Sequence, residues 1–431
     1  MRKYIYILLT LIILLIPTNI FAVTVNSPEA ILIDADTGRI LYEKNAYDKA
    51  YPASTTKILT AILTLENCKM DETVKASYKA IMSVPIGGSI ANIQVDEEIS
   101  VENLLKCLLI CSGNDAANVL AEHIGGSLDS FATMMNTRAK ELGAQNTHFV
   151  NANGLHDENH YSCAYDLAIF AKYAMDNFPE FRELVSTIRF RLPASNKYST
   201  DDRYFLNSNQ LIVPNSSSGK KNYYYQYATG IKTGFTTPAK NCLVASAEKD
   251  NTSLICVILG AGQDETGVSY RYTDAKALFE YGFEQVVSNT IVEENTIIKS
   301  VEVKDAIKDK NTVELVTEKG LTTTIDRDDL YEKFEPIIEI DENITAPVSK
   351  GEVLGKATYH IYDKDYTINL IASNDVEKKA DVILGIFKVI GKTLIIFGIL
   401  ATLLFVVRVW NKSKRRKKTA YNVYRYNRRF R

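Results

Sequence analysis

Apolar positions along this chain change their spacing several times, and each change marks an element. Residues 30–33 and 40–44 flank the turn sequence Asp36-Thr37-Gly38-Arg39 and predict a β-hairpin. Beyond Pro52, Ile58, Leu59, Ile62 and Leu65 fall on one face of a helix running from Ser54 to about Glu66. Ser100 caps a predicted helix over Val101–Ile110, and another spans Asp115–Ile124, stopped by Gly125-Gly126. Helical periodicity continues over Phe131–Leu142, with a Gly143 stop, and over Cys163–Met175. A polar loop, residues 215–222, ends this part. Strands are then predicted at Ala228–Thr233, Cys242–Glu248 and Leu254–Leu259, followed by a helix at Asp274–Tyr281. Helices set between early and late strands predict an α/β layered domain whose sheet joins both ends of the segment.

After about residue 285 the pattern becomes short alternating runs, at Ile297–Val303, Thr312–Val316, Ile337–Ile340 and Tyr366–Ile371. Lys319-Gly320 and Lys350-Gly351 interrupt them, which predicts a small β-rich domain over 285–375. A juxtamembrane segment, 376–392, leads into the unbroken apolar stretch Thr393–Val407. With its flanks this predicts a transmembrane helix over 393–410 and a basic tail over 411–431. At the other end, Met1-Arg2-Lys3, an apolar run from Tyr4 to Ile16 and a close at Ile20-Phe21-Ala22 have the order of a secretory signal. We expect residues 1–22 to be removed after Ala22, leaving a first domain over 23–284.

Composition alters this picture in one respect. The 431 residues carry a net charge of only −2, yet residues 23–381 hold 35 basic and 52 acidic side chains, a net −17, while residues 408–431 carry eleven Lys or Arg and no acid. Basic residues directly after a span fit the positive-inside rule, so the tail is expected in the cytoplasm and the acidic body outside the cell membrane. No nucleic-acid partner is expected. Apolar residues at 46% and charged residues at 24% exclude a largely disordered chain, and the length excludes a small disulfide scaffold. The six cysteines form no C-x-x-C pair, and most are expected to be reduced and buried.

Three short patterns stand in order: Ser54-Thr55-Thr56-Lys57, Ser112-Gly113-Asn114 and Lys232-Thr233-Gly234. Residues three apart on a helix share a face, so Ser54 and Lys57 can touch. A serine hydroxyl needs a base to become a nucleophile, and a lysine serves only if its ammonium form is disfavoured, as by burial or a second cation such as Lys232. Gly113 permits a tight turn that presents Ser112 and Asn114, which could relay a proton and hold a substrate amide. Gly234 would let a ligand approach the strand edge, with Lys232 offering charge to an anionic group. Taken singly, each pattern equally suits a helix cap, a solvated lysine or a strand end.

In this order the three patterns resemble the penicillin-interacting serine acyl transferases, and within them the low-molecular-mass D-alanyl-D-alanine carboxypeptidases. Tyr51-Pro-Ala-Ser-Thr-Thr-Lys57, Cys111-Ser-Gly-Asn-Asp-Ala-Ala-Asn118, Phe149-Val-Asn-Ala-Asn-Gly-Leu-His-Asp157, Gly230-Ile-Lys-Thr-Gly-Phe-Thr236 and Arg271-Tyr-Thr-Asp-Ala-Lys-Ala-Leu-Phe-Glu-Tyr-Gly-Phe283 carry the likeness, over roughly residues 28–284. The resemblance implies a β-lactamase/transpeptidase-like fold, an antiparallel sheet with helices, and an enzyme of cell-wall biogenesis acting on peptidoglycan stem peptides. It implies that Ser54 attacks the bond between the terminal D-alanines, Lys57 takes its proton, and Ser112 passes a proton to the leaving amine. Asn114 would hold the substrate amide, Lys232 and Thr233 the terminal carboxylate, and the amides of Ser54 and Phe235 beside Gly234 the oxyanion. β-Lactams would be covalent inhibitors, and neither cofactor nor metal is implied. Lys240 stands where relatives often have glycine, so the turn Thr236–Asn241 is expected to differ in shape.

Other enzyme classes lack their markers. No Glu-x-x-Leu-Asn lies between the second and third patterns, as a class A β-lactamase would need, although a serine β-lactamase and an inactive penicillin-binding scaffold remain the alternatives. His156 and His160 flank Asp157, but H-E-x-x-H is absent and both read as surface histidines. No G-x-S-x-G occurs either.

Overall fold

A computed structural model describes residues 23–214, 221–308 and 310–427. The expected signal 1–22 lies outside these residues, as do residues 215–220 of the polar loop and the last four of the tail. The chain divides into two units. One runs to Asn289 and takes back Thr323–Glu332, and the other comprises Thr290–Thr322 and the chain from Lys333 onward.

The first unit opens with the hairpin β1 (Glu29–Asp34) and β2 (Ile40–Lys44). Two small ribbons follow, β3 (Thr73–Lys75) with β4 (Glu98–Ser100), and β5 (Arg189–Leu192) with β6 (Arg203–Leu206). The strands β7 (Ala228–Thr236), β8 (Lys240–Lys249) and β9 (Thr252–Ala261) complete an antiparallel sheet of order β2-β1-β9-β8-β7, so the two ends of the segment do share one sheet. The inner strands β9 and β8, with β1, carry long buried and largely apolar stretches because both faces of the sheet are covered. Ala30, Leu32, Leu243, Cys256 and Ile258 pack with Leu278 and Phe279 of the Tyr270–Gln285 helix. Ile31, Ile33, Val244, Ile255 and Val257 face the larger helical layer, which includes Lys57–Asn67, Val101–Leu109 and Ala164–Asn177.

Where sequence and structure differ, packing decides. β7 extends three residues beyond the expected Thr233, through Gly234, Phe235 and Thr236, because pairing with β8 continues to Thr236 opposite Lys240. Of the added residues only Gly234 disfavours a strand; Phe235 and Thr236 favour one, and the ladder to Cys242, Asn241 and Lys240 carries the strand across the glycine. Lys240 sits in the left-handed region at φ 54°, the conformation glycine adopts without strain, and thereby closes the β7–β8 turn.

In the second unit β11 (Ile297–Glu302), β12 (Thr312–Thr317), β14 (Ile337–Ile340), β15 (Val353–Ile361) and β16 (Lys364–Ala372) form a sheet of order β11-β12-β16-β15-β14. β10 (Val286–Val292) and β13 (Leu321–Asp326), each crossed by the division between the units, make a separate two-stranded ribbon. One helix then runs over Lys379–Asn427, so the expected juxtamembrane stretch is helical from Lys379 onward and continuous with the apolar stretch, while Val376 still bridges to Val348. Among the described residues it is the one helix long and apolar enough to cross a membrane.

Candidate active site

Ser54 does not begin a regular α-helix. It lies in a 3-10 turn, Ala53–Thr56, and Lys57 is the first residue of the α-helix that follows. The tighter turn leaves Ser54 half-buried while Lys57 is 0% exposed. Lys57 Nζ reaches Ser54 Oγ at 2.9 Å, Asn114 Oδ1 at 2.7 Å and the Asn153 carbonyl at 2.6 Å. Three acceptors match the three hydrogens of an ammonium, and a neutral amine keeps two donors and gains a lone pair that can face the Ser54 hydroxyl. Burial, followed by the positive charge of Lys232, pushes Lys57 well below the usual lysine range.

The second pattern is held by a strained backbone. Ser112 has φ 65°, which β-carbon crowding makes costly for a residue other than glycine. In this tight turn the left-handed residue is Ser112, while Gly113 lies at φ −57°. Its missing side chain makes room, since a Cβ there would meet Asp115 Oδ1 at 2.7 Å. Buried Asp115 accepts from the amides of Ala91, Ile93 and Ala116, tying the segment before the Val101–Leu109 helix to the Ser112 turn. Asn114 opens the Asn114–Gly125 helix, and its amide donates to the Ser89 carbonyl.

The third pattern lies beside the first. A Cβ on Gly234 would fall 2.9 Å from the Pro52 carbonyl and 3.1 Å from the Ser54 amide nitrogen. The glycine thus allows β7 to pass against the 3-10 turn, a closer constraint than the ligand approach read from the sequence. Lys232 is 0% exposed and donates to the Thr233 carbonyl at 2.9 Å, so its charge acts from beneath the strand. Burial pushes Lys232 down to about 7, with Arg271 acting in the same direction. Thr233 Oγ1 donates to Ser208 Oγ at 2.7 Å, and the Phe235 side chain is 63% exposed.

Several further residues shape this site without a signal of their own in the sequence. Asn153 supplies the carbonyl under Lys57, and its side chain donates to Asn118 Oδ1 at 3.0 Å. Arg271 Nη1 donates to the Gly234 carbonyl at 3.2 Å. Both lie in stretches that carried the family likeness, but nothing in their spacing distinguished them from neighbours. His156 is exposed and packs edge-on against Tyr51, as a surface residue does. His160 is not a surface histidine. It is buried, its Nε2 lies 2.8 Å from Thr56 Oγ1 and its Nδ1 accepts from the Val150 amide. Thr56 Oγ1 donates to the Ala53 carbonyl, so it accepts from His160, and burial pushes the imidazole down to about 3, keeping it neutral beneath the turn. The six cysteines are all free, four of them buried.

Gly154 gives a sharp test of this assembly. At φ 82°, a Cβ on it would lie 1.9 Å from the Ala53 carbonyl oxygen, which is fixed backbone. Gly154→Ala is expected to destabilise by about 3 kcal/mol, because both backbone segments must shift. Denaturant titration measures the loss, and an unchanged midpoint would refute this packing.

Residues 17–263 match the D-alanyl-D-alanine carboxypeptidase family, and residues 287–378 match the C-terminal domain of penicillin-binding protein 5. The D-alanyl-D-alanine carboxypeptidase DacF of Bacillus subtilis is 33% identical over 84% of this chain and 88% of its own length. Among solved structures, penicillin binding protein 5 from Haemophilus influenzae aligns with a TM-score of 0.58 at 29% identity, covering 82% of this chain and 98% of that one. A peptidoglycan synthesis regulatory factor from Streptococcus pneumoniae shares the fold, with a TM-score of 0.67 at 24% identity over 82% of this chain and all of its own. On the strength of these matches, and with the three patterns gathered around one buried lysine, this chain belongs to the D-alanyl-D-alanine carboxypeptidase family, the serine carboxypeptidases among the penicillin-binding proteins.

Proposed function

We propose that Ser54 is the nucleophile that removes the terminal D-alanine from peptidoglycan stem pentapeptides. The observation that carries this reading is the buried Lys57 amine 2.9 Å from Ser54 Oγ, with a second buried cation, Lys232, disfavouring its charged form. Neutral Lys57 accepts the Ser54 proton as Oγ bonds to the penultimate carbonyl carbon. The oxyanion forms beside the amides of Ser54 and Phe235, on the two segments that Gly234 allows to meet. As the C–N bond breaks, the proton passes through Ser112 to the leaving amine of D-alanine. Water then cleaves the ester, returning the proton to Ser54 and releasing the shortened peptide. Asn114 orients both Lys57 and the scissile amide. Thr233 holds the substrate carboxylate, with Lys232 and Arg271 supplying positive potential.

In this reading residues 1–22 direct export, 23–284 form the catalytic domain, and 285–375 a β-rich spacer. Residues 376–392 lead to the span 393–410, and the basic segment 411–431 lies on the cytoplasmic side, attracted to the membrane surface. The hydropathy of the Lys379–Asn427 helix and its run of Lys and Arg support this topology.

Mass spectrometry tests the function. The full chain in detergent is expected to remove a single alanine from a pentapeptide and to gain one penicillin, mapped to Ser54. An adduct on any other residue, or no alanine loss by folded protein, would overturn it. Deacylation of penicillin is expected to be slow, since the chain has no Glu-x-x-Leu-Asn base, and rapid turnover of penicillin would contradict that.

The pH profile follows from the two lysines. kcat/KM toward a pentapeptide is expected to rise with pH as Lys57 loses its proton in the free enzyme. It should fall again above about 7 as Lys232 loses the charge that attracts the carboxylate. Lys232→Arg is expected to remove the alkaline limb, because a guanidinium stays charged. If the limb survives that substitution, Lys232 is not its source.

A further inference from the structure

We infer that Cys68, Glu72 and His123 form a binding site for a thiolate-preferring divalent cation of the zinc type, outside the catalytic machinery. Their ligand atoms, a thiol sulfur, a carboxylate oxygen and an imidazole nitrogen, lie within 4.8 Å of one another. No function described above uses any of them.

The three residues come from two pieces of chain, the connection that holds Cys68 and Glu72 and the helix that holds His123. Cys68 caps the C-terminal end of the Lys57–Asn67 helix in an extended conformation. Glu72 lies in the turn leading into β3, its backbone fixed by Glu72 N to Lys69 O and by Val101 N to Glu72 O. His123 is in the last turns of the Asn114–Gly125 helix, and its Nε2 lies 2.7 Å from Glu72 Oε1. The imidazole is therefore already turned toward the carboxylate. A tetrahedral ion with bonds of about 2.0–2.3 Å needs its ligand atoms somewhat under 4 Å apart, which small side-chain rotations of this trio provide. The thiol is half-buried, the carboxylate and imidazole partly open to solvent, and the adjoining groove of about 640 Å³ is lined by Glu66, Asn67, Lys69 and Asp71. That opening leaves room for a water as fourth ligand.

The donor set selects the ion. One sulfur, one nitrogen and one oxygen suit zinc, and cobalt as its spectroscopic substitute, whereas calcium and magnesium take oxygen ligands. Binding is balanced by proton release: the Cys68 S–H bond breaks, the sulfur bonds the cation, and the proton leaves to solvent. Without the cation the thiol stays protonated, pushed up to about 11 by burial and then by the Glu72 carboxylate.

The placement suggests what the ion does. Both helices that it would join start in the active site, one at Lys57 and the other at Asn114, whose side chains touch at 2.7 Å. A cation at their far ends would clamp the pair and the loop between them, raising the stability of the folded state.

Cobalt titration of the metal-free, reduced, untagged full chain in detergent tests the site. The expected result is one equivalent bound, with a thiolate-to-cobalt charge-transfer absorption, and a Tm raised by one equivalent of zinc. Cys68→Ser and His123→Gln, each shown to be folded by penicillin labelling, should lose the absorption and the Tm response and bind zinc at least about tenfold more weakly. Asp129→Asn, at an exposed carboxylate in the first turn of the Leu128–Glu141 helix, should retain both. Absence of the absorption in the parent chain overturns the site, as does its persistence in both ligand variants. In either event the Glu72–His123 contact is an ordinary hydrogen-bonded pair beside a bystander thiol.

Discussion

Ser54→Ala is expected to yield a folded protein that neither releases D-alanine nor gains mass from penicillin, with kcat/KM reduced on the order of 10⁴-fold or more. That factor is about 5 kcal/mol of barrier, the whole advantage of the covalent route. The substitution leaves the fold intact because Ser54 Oγ is only one of three acceptors around Lys57. Asn114 Oδ1 and the Asn153 carbonyl continue to satisfy the amine. A lost hydrogen bond from a half-buried hydroxyl costs about 1 kcal/mol, so Tm should move by only a few degrees. Comparing pentapeptide products of the parent and the variant by mass spectrometry decides the matter. Equal loss of alanine from both would place the nucleophile elsewhere.

Lys57→Met is expected to have the second-largest effect, slowing acylation by about 10³-fold while leaving Ser54 in place. Methionine fills the volume of the lysine stem but cannot accept a proton. Two stability effects oppose each other here. Asn114 Oδ1 and the Asn153 carbonyl lose their donor, at about 1–3 kcal/mol for a buried unpaired group, whereas the penalty of keeping an amine at 0% exposure disappears. The melting temperature is therefore a poor readout and the acylation rate a good one. Lys57→Arg should not restore acylation, since a guanidinium keeps the charge but cannot act as a base. Lys57→Ala should regain part of its rate with added methylamine, which fits the vacated space and can take the proton. Normal penicillin acylation in the Met variant would assign the base to another group.

The elements that could be read from the chain were those whose periodicity is simple. The β1–β2 hairpin, the Lys57–Asn67 and Val101–Leu109 helices and the cores of β8 and β9 lie where the apolar spacing put them, because each buries a face of regular period. The short Tyr78–Met82 and Pro179–Ser186 helices and the β3–β4 and β5–β6 ribbons were not anticipated. They are too brief for a period to develop, and their stability comes from contacts with distant segments. One such contact is Arg203 of β6 with buried Glu97.

The candidate site divides in the same way. Ser54 and Lys57 are three apart, and their pairing follows from local helical geometry, whatever the rest of the chain does. His160 shows the opposite case. Its loop sequence of Asp157, Glu158 and Asn159 is polar and solvent-exposed, yet the imidazole turns inward to meet Thr56, 104 residues earlier.

The order of the three patterns, the hydrophobic periods and the charged ends are one-dimensional properties, and they settle the family, the layered architecture and the apolar C-terminal helix. Depressing the proton affinity of Lys57 is not such a property. It requires Lys232, 175 positions away, to share a dry interior with it, and requires Gly154 and Gly234 to let three backbone segments approach within van der Waals distance. Burial and close approach depend on which surfaces remain against each other after folding, so the electrostatics that would make an ordinary serine reactive came from the tertiary structure alone.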